Sequence, residues 1–316
     1  MGALERGGVR ALALSAGLVP VAVAVVEEMF RHDMWRARAR LAAQPTESYR
    51  STFGDIEYRV TGEGPTVLVS HGITGGVDQA ESIVTRWRVL GPDHRFVHVS
   101  RFGYLRSTIP PGATVRMQAQ AYRELLDHLG IERVHMVGNS AGGPSAMWFA
   151  IDHPERTHGL ILISSAVPGP LPGPIPALVA RHDFVYWAAV KAVPDMLLGM
   201  LMPKALIARM SKADKELAVQ QAFVASMPIS ERTKGVLFDN EVTNPGVNDV
   251  PFEEITVPTL IVQAVDDPRE HAGGQELTRR IRDSTFLGLT GGHLLLGHET
   301  EIRAATADFI AEHADR

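Results

Sequence analysis

A serine between glycines, Gly138-Asn139-Ser140-Ala141-Gly142, follows the apolar run 133–137 directly and precedes a segment of helical spacing. In a strand–turn–helix setting this pattern lifts a hydroxyl out of the chain on a tight turn, where it can act as a nucleophile. The turn strains the backbone at Ser140 and leaves no room for side chains two residues away, hence Gly138 and Gly142. The hydroxyl then stands at a helix N-terminus, whose free N–H groups and dipole favour developing negative charge.

A serine hydroxyl is a weak nucleophile at neutral pH and needs a histidine base, with a carboxylate behind it to fix the imidazole. His293, in Gly291-Gly292-His293, follows the last expected strand, and its glycines let the loop bend back toward Ser140. His298 is expected on the helix beyond. The carboxylate belongs at a strand end between serine and histidine, where 258–263 runs into Val265-Asp266-Asp267-Pro268. The residues alone leave both aspartates open. A tetrahedral oxyanion needs N–H donors. One is expected from Ala141, and the other from Ile73 in His71-Gly72-Ile73-Thr74-Gly75-Gly76. That glycine-rich stretch lacks the Lys-Ser/Thr pair of a phosphate-binding loop, and His71 is read as a structural hydrogen-bonder.

Short apolar runs alternate with helical periods from about residue 50, the pattern of a mostly parallel sheet with crossover helices. Strands are expected at 55–60, 65–70, 94–99, 133–137, 159–164, 258–263 and 285–289. Helices are expected near 78–90, 114–129, 141–153, 270–282 and 298–313. The rhythm breaks over 166–254, which opens on Pro168, Pro170, Pro172 and Pro174 and continues as apolar helical sequence. The expected organisation is an N-terminal helix and basic linker over 1–45, an α/β core of 46–165 and 255–316, and a helical insertion over 166–254. Phe184, Tyr186, Trp187, Met196, Leu198 and Met200 are too apolar for a freely solvated helix pair, so the insertion is read both as ordinary packing and as a lid over an apolar pocket.

With 316 residues, 45% of them apolar, the chain can bury a sizeable core. A net charge of −5 supplies no basic field for nucleic acid, and the absence of cysteine excludes disulfides and thiolate catalysis. Residues 11–26 are uncharged, with Arg6 and Arg10 before them and Arg31, Arg36, Arg38 and Arg40 after. The stretch is short of the roughly 20 residues that cross a bilayer. It reads as a membrane anchor, with an export signal and a packed terminal helix as competing readings. The arginine excess after it points to a membrane-associated protein with a cytoplasmic catalytic domain, and otherwise to a cytoplasmic one.

Through HGITGG, GNSAGG, VDDP and GGHLLLGH, in order and spacing, residues 50–316 resemble the α/β-hydrolase superfamily. The resemblance implies a cofactor-free serine hydrolase with a helical lid inserted after the sixth strand. It also implies Ser140, Asp267 and His293 as nucleophile, acid and base, with Asp266 as the runner-up acid. GNS followed by GG is similar to carboxylesterases and lactonases, and to carbon–carbon hydrolases of ring-fission products. The latter usually carry an aromatic residue after the histidine, where this chain has Leu294. The expected substrate is therefore a lipophilic ester or lactone. Carbon–carbon hydrolysis of a vinylogous diketone, and ligand binding without catalysis on a hydrolase scaffold, are the alternatives. Where many members have Asp-x-Pro-Gly, this chain has Ser100-Arg101-Phe102-Gly103-Tyr104.

Overall fold

The computed structural model describes residues 4–171 and 173–314, with the side chains of residues 1–19 outside the description. The chain divides into two compact units, Met1–Ala43 and Gln44–Arg316.

The first unit is one helix, α1, Leu4–Ala42, which runs through Pro20 for 39 residues. Val21, Val23, Val25, Met29 and Trp35 are exposed on it, and Glu27 pairs with Arg31 one turn on. Among the described residues no helix is long and apolar enough to cross a membrane. The anchor expected at 11–26 is thus not supported as a spanning segment, because Glu27 and Glu28 close the apolar stretch early. The side chains of its residues 11–19 lie outside those described.

The second unit is built on an 8-stranded sheet in the order β1-β2-β4-β3-β5-β6-β7-β8. The strands are β1 (Glu47–Ser51), β2 (Gly54–Thr61), β3 (Thr66–Ser70), β4 (Arg95–Val99), β5 (Val134–Asn139), β6 (Thr157–Ile163), β7 (Thr259–Ala264) and β8 (Ser284–Leu289). The first two pair antiparallel, as do β2 and β4, and every later pairing is parallel. The hairpin strand β1 went unforeseen because Glu-Ser-Tyr-Arg-Ser is polar and borders solvent on an edge.

Alternation along the buried strands feeds two cores. Leu68, Met136, Leu160, Leu162 and Ile261 face α3 (Val115–His128), α4 (Gly143–Asp152) and α12 (Pro268–Arg280), meeting Tyr122, Leu125, Phe149 and Leu277. Val67, Val69, Val137, Ile161 and Val262 face α2 (Val77–Thr85) and α13 (Glu299–Glu312), meeting Ile83, Ile302 and Ile310. Both faces are covered, which is why these strands read as continuous apolar runs. All the loops at the C-terminal ends of the parallel strands gather along one edge, where α/β sheets place their sites.

Between β6 and β7 the chain forms α5 (Ala177–Arg181), α6 (Asp183–Ala192), α7 (Pro194–Leu198), α8 (Lys204–Arg209), α9 (Lys212–Ala222), α10 (Thr233–Phe238) and α11 (Asn244–Gly246). Leu198, Met202, Ile207 and Ala218 make a small core of their own, and Leu294 and Leu296 from the chain beyond β8 pack against it.

Candidate active site

Ser140 leaves β5 in the left-handed region, at φ 49°. Its glycines are dictated by space: a Cβ on Gly142 would meet Ser70 O at 2.1 Å, and one on Gly138 would meet Gly143 Cα at 2.6 Å. The turn is held by Ala166 N–H donating to Ser140 O at 2.9 Å and by Asn139 Nδ2 donating to Ile163 O at 3.1 Å.

His293 reaches this serine from the loop after β8, with Nε2 2.9 Å from Ser140 Oγ. Both preceding glycines have positive φ, and both donate N–H groups to the Asp266 carboxylate. The His293 N–H itself donates to Leu201 O at 2.7 Å, tying the loop to the insertion.

The carboxylate behind His293 differs from the expected one. His293 Nδ1 lies 2.6 Å from Glu270 Oε1. Asp267 instead caps α12, with Oδ1 accepting the N–H groups of Arg269 and Glu270. Asp266 is spent on the glycine turn. Asp267-Pro268-Arg269-Glu270 is thus a helix start with Glu at its third position, and that glutamate is the side chain that reaches the imidazole. The sequence signals the helix start, since Asp-Pro followed by Glu reads as a capped N-terminus, but not which carboxylate the imidazole meets. Gln263, buried on β7, donates through Nε2 to Glu270 Oε2 at 3.2 Å and to Ser165 O at 3.3 Å, fixing the carboxylate from behind.

A carboxylate only accepts, so Nδ1 carries the proton and neutral Nε2 faces the serine hydroxyl as acceptor. Burial works to lower the His293 pKa, but attraction and hydrogen bonding from Glu270, with a smaller pull from Asp267, raise it above the ordinary 6.5. The arrangement strengthens the imidazole as a proton acceptor. It can draw the proton from Ser140, hold the charge that results, and return the proton to a leaving group.

The loop carrying Ile73 lies against the serine, for a Cβ on Gly72 would sit 3.0 Å from Ser140 Cβ. Its neighbouring donors are engaged: Gly72 N–H on Gln79 Oε1, Thr74 N–H on Tyr104 OH and Gly75 N–H on Gly72 O. The buried His71 accepts the Arg101 N–H at Nε2 and so donates from Nδ1 to Gly72 O. Burial, and the positive charges of Arg101 and Arg232, hold it neutral, well below pH 6.5. Among the described residues no cluster of His, Asp or Glu could hold a metal ion.

The sequence matches the family described as the alpha/beta hydrolase fold over residues 65–193. An α/β hydrolase fold protein from Nakamurella multipartita superposes with a TM-score of 0.67 over 86% of this chain and 100% of its own, at 22% identity. The chain has the α/β-hydrolase fold. An enol-lactonase from Burkholderia xenovorans LB400 shares the fold as well, with a TM-score of 0.59 over 84% of this chain and 100% of its own, at 18% identity. In sequence, the 2-hydroxy-6-oxo-6-phenylhexa-2,4-dienoate hydrolase of Comamonas testosteroni is 37% identical over 114 residues, 34% of this chain and 39% of that protein. The uncharacterized hydrolase YcgS of Bacillus subtilis is 38% identical over 122 residues. The matched stretches span only 38% and 39% of these two relatives' own lengths.

Proposed function

We propose that the protein is a serine hydrolase that cleaves a carboxylic ester or lactone with a lipophilic group. The observation that carries this is the continuous relay from Ser140 Oγ through His293 to Glu270, at 2.9 and 2.6 Å. Ser140 attacks the carbonyl carbon while His293 Nε2 takes its proton. The oxyanion is received by the Ile73 and Ala141 N–H groups, and collapse expels the alcohol, which recovers the proton from His293. Water, deprotonated by the same nitrogen, then releases the acid from the acyl-enzyme. The lipophilic preference rests on the insertion, where Leu178, Phe184, Met196 and Met200 stay exposed and Met202 stands in an apolar cluster beside Leu294.

Carbon–carbon hydrolysis is the second reading, favoured by the likeness to the Comamonas enzyme. One comparison tests both: turnover of p-nitrophenyl esters of graded acyl length against that of a vinylogous diketone. Ester turnover that rises with acyl length supports the first reading, and diketone turnover alone replaces it with the second. Ser140→Ala should abolish turnover and fluorophosphonate labelling, with a loss on the order of 10⁴ to 10⁶. Labelling that survives this change would overturn the mechanism.

A further inference from the structure

We infer that Asp239, on the insertion, is a positioning residue for the oxyanion loop, acting through Arg101 and Tyr104 on the peptides either side of Ile73. The inference rests on the serine-hydrolase reading above.

The C=O of Gly72 and the N–H of Ile73 belong to one planar trans peptide and point in opposite directions. Fixing the carbonyl therefore aims the N–H. Gly72 O accepts from His71 Nδ1 at 2.7 Å, from Gly75 N–H at 3.2 Å and from Arg101 Nη2 at 3.2 Å, which leaves the Ile73 N–H directed away from all three. The next peptide is held too, by Thr74 N–H donating to Tyr104 OH at 3.3 Å.

Asp239 joins these two supports. Its Oδ1 accepts from Arg101 Nη1 at 2.7 Å, and its Oδ2 accepts from Arg101 Nη2 and from Tyr104 OH, both at 2.5 Å. Arg101, Tyr104 and Asp239 are all buried, so solvent cannot substitute for a lost partner. Without the carboxylate the guanidinium keeps no charged partner and leaves its place beneath Gly72. Asp239 stands where the helix begun by α10 takes one π turn, with Asn244 N–H donating to Asp239 O. Such turns redirect side chains and recur at functional sites.

A second grip joins the insertion to the same loop. The buried Arg232, also on the insertion, donates to Gly75 O, makes a bidentate pair with Asp78, and donates from Nε to Ser226 O at 2.9 Å. Thr74 Oγ1 lies 2.9 Å from Ser226 Oγ. The segment 226–239 thus holds the loop at Gly72, Thr74 and Gly75, which gives Arg101 and Tyr104, in the SRFGY segment, a physical role.

The test compares wild type, Asp239→Asn and Tyr104→Phe as full chains with a p-nitrophenyl ester. Losing an entire oxyanion donor costs about 10²- to 10³-fold in kcat, so a misaimed one should cost about 10- to 100-fold. KM should stay within about threefold, and the pH inflection of kcat/KM should not move, because the His293–Glu270 pair is untouched. A folded Asp239→Asn protein with wild-type kcat, or with only KM changed, overturns the inference. If Asp239→Asn does not fold, Tyr104→Phe decides, since it deletes only the hydroxyl under Thr74: unchanged kcat overturns the inference and a loss in kcat alone supports it. Wild type without Ser140-dependent turnover would overturn the hydrolase reading first, before any variant is compared.

Discussion

At the scale of single residues, the acid behind His293 is the sharpest point of difference. Glu270→Gln keeps the shape and the cap of α12 but removes the charge that orients and stabilises the imidazolium. Turnover should fall on the order of 10³- to 10⁴-fold. Asp267→Ala removes a helix cap instead, so it should cost about 1 kcal/mol of stability and less than about tenfold in turnover. Reversed severities, read from steady-state kinetics and thermal melts, would return the acid role to Asp267. The raised His293 pKa fixes a pH dependence as well. The base acts neutral, so kcat/KM should climb with pH through an inflection above 6.5, and Glu270→Gln should bring that inflection down. A folded pKa above the unfolded one means the ion pair stabilises the fold fully below the unfolded value and fades as pH rises through the folded value.

At the scale of elements, the Ser140 turn is tight because the end of β5 and the helix start after it meet the end of β3 with no side chain at Gly142 between them. Gly142 backs onto the carbonyls of Ser70 and His71 at the end of β3. Gly142→Ala pushes a methyl group into backbone that cannot yield, so the turn and β3 must separate. A stability loss of about 1–3 kcal/mol and a loss of fluorophosphonate labelling are expected together. Denaturant melts that stay at the wild-type midpoint, with labelling intact, would show that the turn relaxes elsewhere. The same logic explains why α12 begins where it does: Pro268 cannot donate an N–H, Asp267 caps, and Glu270 emerges one turn in, aimed at the loop after β8.

At the scale of the whole molecule, the fold buries histidines in their neutral form. Burial lowers His98 to about 4 and His135 to about 3, and His71 is held well below 6.5. These groups are neutral in the fold and take up protons on unfolding, so their contribution is complete above pH 6.5 and is lost as pH falls. Each costs about 1.4 kcal/mol per pH unit in that range. Unfolding free energies measured from pH 7 to 5 should decline steeply, and His135→Phe should flatten the slope by about one proton. A slope unchanged by that substitution would mean that His135 takes up its proton as readily in the folded chain as in the unfolded one, contrary to its burial against Phe309 and His158.

What the sequence determined by itself was everything that depends on local chemistry. Continuous apolar runs from β3 to β7 announce a sheet covered on both faces. Gly138 and Gly142 around Ser140 announce a turn where no Cβ fits. Gly291-Gly292 before His293 announces a loop able to fold back. The polar edge strand β1 escaped notice because one exposed face carries no apolar period. The tertiary structure decided the partners. Asp266, Asp267 and Glu270 lie within five consecutive residues, and only the packing of β7, α12 and the loop after β8 determines which carboxylate meets an imidazole. Arg101 and Asp239 stand 138 positions apart, so no local pattern links them. Burial leaves each charge the other as its ion-pair partner, and the fold brings them together beneath the loop of Ile73.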